Sequence, residues 1–178
     1  MNAMACSVPS QEKKYAAVVA SKRKKRASFG GYKMMNDDNS ITTETALYGY
    51  IAENAHSSRF CAIVNKLFKG NNVNAMAIPM NIRPDDVTFT ISQMRSSKLT
   101  GAVISMEYQE EAFSLLDHAS EASQEAGYSD FIRIVDGQLY GELIMPSALE
   151  KFAQCDEFQD DIALNSMTRY FYELTTGA

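Results

Sequence analysis

The chain predicts an α/β domain of the three-layer α-β-α kind. Its sheet is mixed and mostly parallel, of about five to six strands, with a β-hairpin and C-terminal helices added. Three observations carry this. From residue 46 to residue 106, short β-branched or aromatic runs alternate with amphipathic stretches at intervals of about 30 residues, the spacing of parallel strands joined by right-handed crossovers. Asp136-Gly137 sits between two apolar-rich runs, the strongest short-range hairpin signal. The tail then returns to helical spacing.

Composition agrees with one soluble domain. The 178 residues are enough for a real core, and 46% hydrophobic with 22% charged residues is ordinary for a globular chain. No apolar run approaches the roughly 20 residues of a membrane span. The N-terminus lacks the apolar core of about 7–15 residues that marks a secretory signal. Cys6, Cys61 and Cys155 are odd in number and far apart. They predict neither a zinc knuckle nor a disulfide framework, and so a reducing, cytoplasmic setting.

The net charge of −5 is unevenly spread. Residues 1–33 hold eight basic side chains against Glu12 alone, a net of +7, which leaves −12 for the rest. This reads as a basic N-terminal arm and linker over residues 1–44 and a folded domain over residues 45–178. Residues 11–28 have helical spacing around Tyr15, Val18 and Val19, and basic residues suit the C-terminal end of such a helix. The run Lys22, Arg23, Lys24, Lys25, Arg26 could meet nucleic acid. It lacks interleaved aromatics, so a solvated charged terminus is the favoured reading.

Within the domain, ALYGYI at residues 46–51 is the first strand. Residues 59–69 follow as a helix, with Phe60, Ile63, Val64, Leu67 and Phe68 on one face and Gly70-Asn71-Asn72 stopping it. NAMAIPM at residues 74–80 is the second strand. Pro84 suits the first turn of a helix whose buried stripe is Val87, Ile91 and Met94. Residues 101–106 form the third strand, residues 109–118 a helix and residues 120–126 a shorter one. The hairpin spans residues 131–142. Ser147 and Glu150 have the spacing of a capping box for a tail helix. A last helix over residues 160–174 is predicted to dock through Ala163, Met167, Tyr170, Phe171 and Leu174.

Ligands of open α/β sheets sit beyond the carboxyl ends of the strands. That directs attention to residues 99–110, LTGAVISMEYQE, where the third strand runs into Ser105, Glu107, Tyr108 and Gln109. These side chains form hydrogen bonds, but none is a lysine, histidine or cysteine. His56, in the first strand–helix loop, is open to three readings: an acid–base group, an anion contact, or a structural or solvated side chain. Arg59, at the helix start, reads as a carboxylate contact or as one half of a surface ion pair.

Four stretches, in order, resemble the substrate-binding domain of the shikimate/quinate dehydrogenase family: LYGYIAENAHSS from residue 47, NVNAMAIPMNIRPDDV from residue 72, LTGAVISMEYQEEAFSLLD from residue 99 and EAGYSDFIRIVDGQLYGE from residue 125. The resemblance implies the same fold over roughly residues 45–145. It also implies ligand-binding candidates Ser57, Ser58, Ser105, Tyr108, Gln109, Asp130 and Glu142, and a small polyhydroxy or aromatic acid as ligand.

The same resemblance argues against the family's chemistry. Its catalytic lysine falls on Gln109, its catalytic aspartate on Met145, and the asparagine of the third strand on Val103, while a threonine is matched by Ser105. The Ser-x-Ser that grips the substrate carboxylate becomes Ser57-x-Arg59 or Ser58-x-Phe60. No catalytic residue is therefore assigned. After Glu142 only 36 residues remain, and none of the nine glycines lies in G-x-G-x-x-G, so no NAD(P) cofactor and no metal is expected in this chain. The expected role is a small-molecule-binding or protein-interaction module. Its partners would be a second copy in a homodimer or a separate Rossmann-domain chain. No membrane association is expected.

Overall fold

A computed structural model describes residues 41–177. The expectations for the basic arm, including Lys22–Arg26 and Cys6, lie outside the described residues. Among these residues a six-stranded sheet has the order β2-β1-β3-β5-β6-β4. Its strands are β1 (Ala46–Ala52), β2 (Ala75–Asn81), β3 (Leu99–Ile104), β4 (His118–Ala119), β5 (Phe131–Val135) and β6 (Gln138–Glu142). The central strand β1 runs parallel to β2 and β3, and β5 lies antiparallel to both β3 and β6.

The strands separate two apolar layers because successive side chains point to opposite faces. Tyr48 and Val103 face one cluster with Phe60, Val64, Phe68, Phe131 and Phe171. Ile51, Ala102 and Ile104 face the other, with Val87, Ile91, Met94 and Ala112. The first layer is built on helices α1 (Phe60–Gly70) and α6 (Ile162–Thr176), the second on α2 (Val87–Gln93) and α3 (Gln109–Ser114). The three-layer expectation therefore holds.

Local signals explain most boundaries. Asn72 adopts a left-handed φ of 54° just past α1, a conformation asparagine tolerates better than most residues. Asp136 and Gly137, at φ 53° and 79°, make the two-residue turn that a tight hairpin needs. Ser120 accepts a hydrogen bond from Ser123 N at 3.2 Å and so caps α4 (Glu121–Ala126), which Gly127 closes at φ 75°. Pro84 opens a single 3-10 turn that leads directly into α2.

Four details differ from the sequence expectation. The third strand ends at Ile104, and Met106 instead starts a 3-10 turn in which it is 84% exposed. The helix expected to reach residue 118 stops at Ser114, because sheet pairing takes over. Asp117 donates its amide to Leu139 O at 3.0 Å and accepts from Leu139 N at 2.7 Å, leading into the parallel pairing of β4 with β6. The capping box at Ser147 does not form, since α5 (Met145–Phe152) begins two residues earlier with Pro146 in its first turn. Asp130 takes the amides of Ile144 and Met145 at 2.7 Å each, supplying the cap from another element. On α6 the inward residues are Met167, Phe171 and Tyr172, whereas Ala163 and Leu174 are exposed.

Two glycines in the sheet differ in how much space they have. A Cβ on Gly101 would lie 2.5 Å from the carbonyl oxygen of Ile132, a backbone atom held in the β3–β5 pairing. A Cβ on Gly49 would meet the flexible end of Met80 at 2.9 Å. Gly101→Ala is therefore expected to cost about 1–3 kcal/mol and Gly49→Ala clearly less, as read by urea denaturation. Equal losses would contradict this reading of the β3–β5 contact.

Candidate functional site

A cavity of about 460 Å³ opens at the carboxyl ends of β1 and β3. The layout of the sheet places it there, since strand ends and helix starts converge at that edge. Ile104 and Ser105 come from the end of β3, and Gln109 from the first residue of α3. Ser58 and Phe60 come from the start of α1, while Tyr128 and Asp130 come from the loop before β5. Met145 and Leu149 of α5, with Leu164 and Met167 of α6, form an apolar wall. Tyr50 and Phe60 stack at 5.2 Å between ring centroids, 22° from parallel, as another. A second cavity, of about 510 Å³, lies near the start of β1 beside Ile41, Thr42 and Lys98. It is at the wrong end of the parallel strands for the ligand position typical of such sheets.

The structure brings four of the seven candidates to this cavity: Ser58, Ser105, Gln109 and Asp130. Ser58 accepts from Phe60 N at 3.1 Å. Gln109 donates Nε2 to Ile104 O at 3.0 Å, which leaves its Oε1 to accept. Ser105 donates to the Glu107 carboxylate, whose other oxygen accepts from Glu53 N at 3.1 Å. Burial alone would raise the Glu107 pKa, but hydrogen bonds from Ser105 and from the amides of Glu107 and Glu53 outweigh it and hold the carboxyl below the usual range. Glu107 is thus a latch between the β1 and β3 ends.

The other three candidates point elsewhere. Ser57 donates to Asn54 O at 2.7 Å within its own turn. Tyr108 is buried in the opposite layer and donates its hydroxyl to Ile82 O at 2.7 Å. Burial, with Glu53, Glu107 and Glu111 nearby, pushes that phenol up. Glu142 pairs with Arg133 at 2.6 Å, and burial raises its carboxyl although Arg133 opposes the shift.

Asp130 is 2% exposed. Burial raises its carboxyl against the two amides that it accepts, and the nearby Glu142 adds to the rise. Arg59 is engaged with Asp161 at 2.7 Å, so the ion-pair reading describes it here. His56 is exposed and uses its backbone amide to bind Asn81 Oδ1 at 3.1 Å. The Cys61 thiol is buried and pushed up to about 11, which leaves it unreactive at neutral pH.

Tyr128 and most of the apolar wall were not among the candidates. Tyr128 stands two residues before Asp130, and its neighbourhood was the available signal. The α5 and α6 wall follows from tertiary packing alone. Among the described residues no helix is long and apolar enough to cross a membrane, and no group of three metal-binding side chains converges.

Residues 50–132 match the shikimate dehydrogenase substrate binding domain. Shikimate dehydrogenase (NADP(+)) of Pyrococcus furiosus is 31% identical over 120 residues, covering 65% of this chain and 44% of that protein. The enzyme of the same name from Aquifex aeolicus is 25% identical over 101 residues, covering 57% and 38%. The chain thus spans less than half the length of these two relatives. In fold, it is similar to the crystal structure of Aquifex aeolicus shikimate dehydrogenase, with a TM-score of 0.59 at 23% identity over 63% of this chain and 42% of that one. Shikimate 5-dehydrogenase from Listeria monocytogenes, solved with shikimate and NAD, gives a TM-score of 0.58 at 21% identity over 68% and 43%. The matched segment, and the six-stranded sheet built around it, make this chain similar in sequence and in fold to the substrate-binding domain of shikimate dehydrogenases.

Proposed function

We propose that the domain over residues 41–177 is a small-molecule-binding module, built on a substrate-domain scaffold but without the acid–base pair of the dehydrogenase reaction. One observation carries this reading. A half-open cavity of about 460 Å³ sits at the ligand end of the sheet, and the positions that the resemblance gives to lysine and aspartate are Gln109 and Met145. Hydride removal from an alcohol needs a group to take the hydroxyl proton, worth about 10²–10⁴ in rate. The Gln109 amide cannot titrate and is held by Ile104 O, and the Met145 side chain is a thioether. Asp130, also in the lining, has both oxygens committed to helix amides.

The test is direct. Purified protein with shikimate or quinate and NADP or NAD is expected to form no NAD(P)H above the uncatalysed blank. A small-ligand screen by thermal shift is expected to give hits. A ligand at 100 times its Kd stabilises by about 2.7 kcal/mol. Enzyme-like turnover by the chain would overturn the reading.

A second reading, as the substrate subunit of a two-chain dehydrogenase, draws support from Met106. This side chain is 84% exposed on the cavity lip, where a Rossmann-domain partner or a second copy would cover it. Co-purification with a nicotinamide-binding chain, together with restored turnover, would favour it over the stand-alone module.

A further inference from the structure

We propose that the cavity takes an uncharged ring compound bearing hydroxyls, a cyclic alcohol or a phenol, and rejects carboxylates. This deepens the small-molecule reading above and rests on it. The argument starts from charge. Among the described residues lining the cavity there is no lysine, arginine or histidine, and the one carboxylate is that of Asp130, itself buried. Outside the lining, Arg59 is ion-paired with Asp161 at 2.7 Å and Arg133 with Glu142 at 2.6 Å. At the rim, Ser105 is bound to the negative Glu107. A ligand carboxylate would lose its water against apolar walls, find no counter-ion and face like charge.

The groups that remain suit a neutral hydroxyl. Ser58 accepts one backbone amide and still has its own proton to donate, while Gln109 keeps Oε1 as an acceptor. Tyr50, backed by its stack on Phe60, and the side chains of Leu149, Leu164 and Met167 line the cavity with apolar surface suited to a ring. The volume of about 460 Å³ lies toward the small end of ligand pockets, enough for a compact one- or two-ring molecule.

The full chain is titrated calorimetrically with catechol and cyclohexanediol as neutral probes, and with benzoate and shikimate as carboxylates. At least one neutral probe is expected to bind at least tenfold tighter than either acid, about 1.4 kcal/mol. Leu149→Trp, a change at a half-buried wall position, is expected to lower neutral-probe affinity at least tenfold. Gln109→Lys places an ammonium at the cavity and can still donate to Ile104 O. It is expected to shift the preference toward the acids by at least tenfold. Circular dichroism and melting curves confirm that each variant folds.

Acids binding as tightly as the neutral probes would overturn this inference and leave the small-molecule module standing. A preference unmoved by Gln109→Lys would overturn its electrostatic cause. If no probe of either class bound the folded protein, both this inference and the small-molecule reading would fall.

Discussion

Phe171→Ala is expected to remove about 3–5 kcal/mol of stability, the cost of truncating a fully buried aromatic residue. Phe171 is 0% exposed and joins four rings from three other elements. Its centroid lies 5.1 Å from Tyr48 of β1, 5.5 Å from Phe60 and 6.5 Å from Phe68 of α1, and 5.6 Å from Phe131 of β5. Three of these contacts, with Tyr48, Phe60 and Phe131, are edge-on, the arrangement that ring quadrupoles favour. One side chain therefore holds α6 to the sheet and to α1 at once, and the cavity left by alanine has rigid neighbours that collapse little.

Since domains are stable by only about 5–15 kcal/mol, the loss is a large share of the total. For a domain of this size it corresponds to a fall in Tm of about 10 °C or more. Urea denaturation monitored by circular dichroism reads it, and a loss below about 1.5 kcal/mol would contradict the proposed role of Phe171. The same variant is expected to weaken ligand binding, because Met167, one helical turn before Phe171, lines the cavity.

Much of this architecture is legible in the sequence. The alternation of apolar runs and helical stripes gave β1, α1, β2, α2 and β3 in order, because each element carries its own period. Asp136-Gly137 gave the hairpin because few residues adopt two successive positive φ angles without strain. What escaped is decided between elements. The two-residue β4 has no periodicity to read and exists through its pairing with β6 and the double contact of Asp117 with Leu139.

Tyr108 looked like a site residue by its place after β3. The 3-10 turn over Met106–Tyr108 rotates it into the opposite layer and turns Met106 to solvent. Glu142 looked available, but on β6 it lies within reach of Arg133 on the neighbouring strand. Ser58, Ser105, Gln109 and Asp130 come together through the resemblance, whereas the apolar wall that lines the same cavity depends on α5 and α6 docking. That wall, together with the lack of a cation among the described lining residues, is why we propose an uncharged ring where the resemblance implies a polyhydroxy or aromatic acid.

The start of α5 is set by one residue outside it, and removing that residue is the second large effect expected. Asp130→Ala leaves the amides of Ile144 and Met145 without their acceptors in a site where Asp130 is 2% exposed. Each buried amide left unmade costs about 1–3 kcal/mol, so a loss of about 3 kcal/mol is expected. Asp130→Asn is expected to recover part of it, because Oδ1 still accepts one amide while Nδ2 faces the other. The two variants also separate cap from charge. Burial raises the Asp130 pKa in the folded state. Its protonated form is therefore favoured by folding, and the stability it contributes is greatest below the ordinary aspartate value of about 3.9 and declines as pH rises through the raised one. Asparagine does not titrate there. The stability gap between wild type and Asp130→Asn should accordingly be widest at acid pH and narrow toward neutrality, as read by denaturation at a series of pH values. A gap that widened toward neutrality would mean that the two amides outweigh burial at this carboxylate. Met145 and Leu149 of α5 form one wall of the cavity, so both variants are also expected to weaken neutral-ligand binding. That loss would follow the loosening of the α5 start, even for a ligand that never touches residue 130.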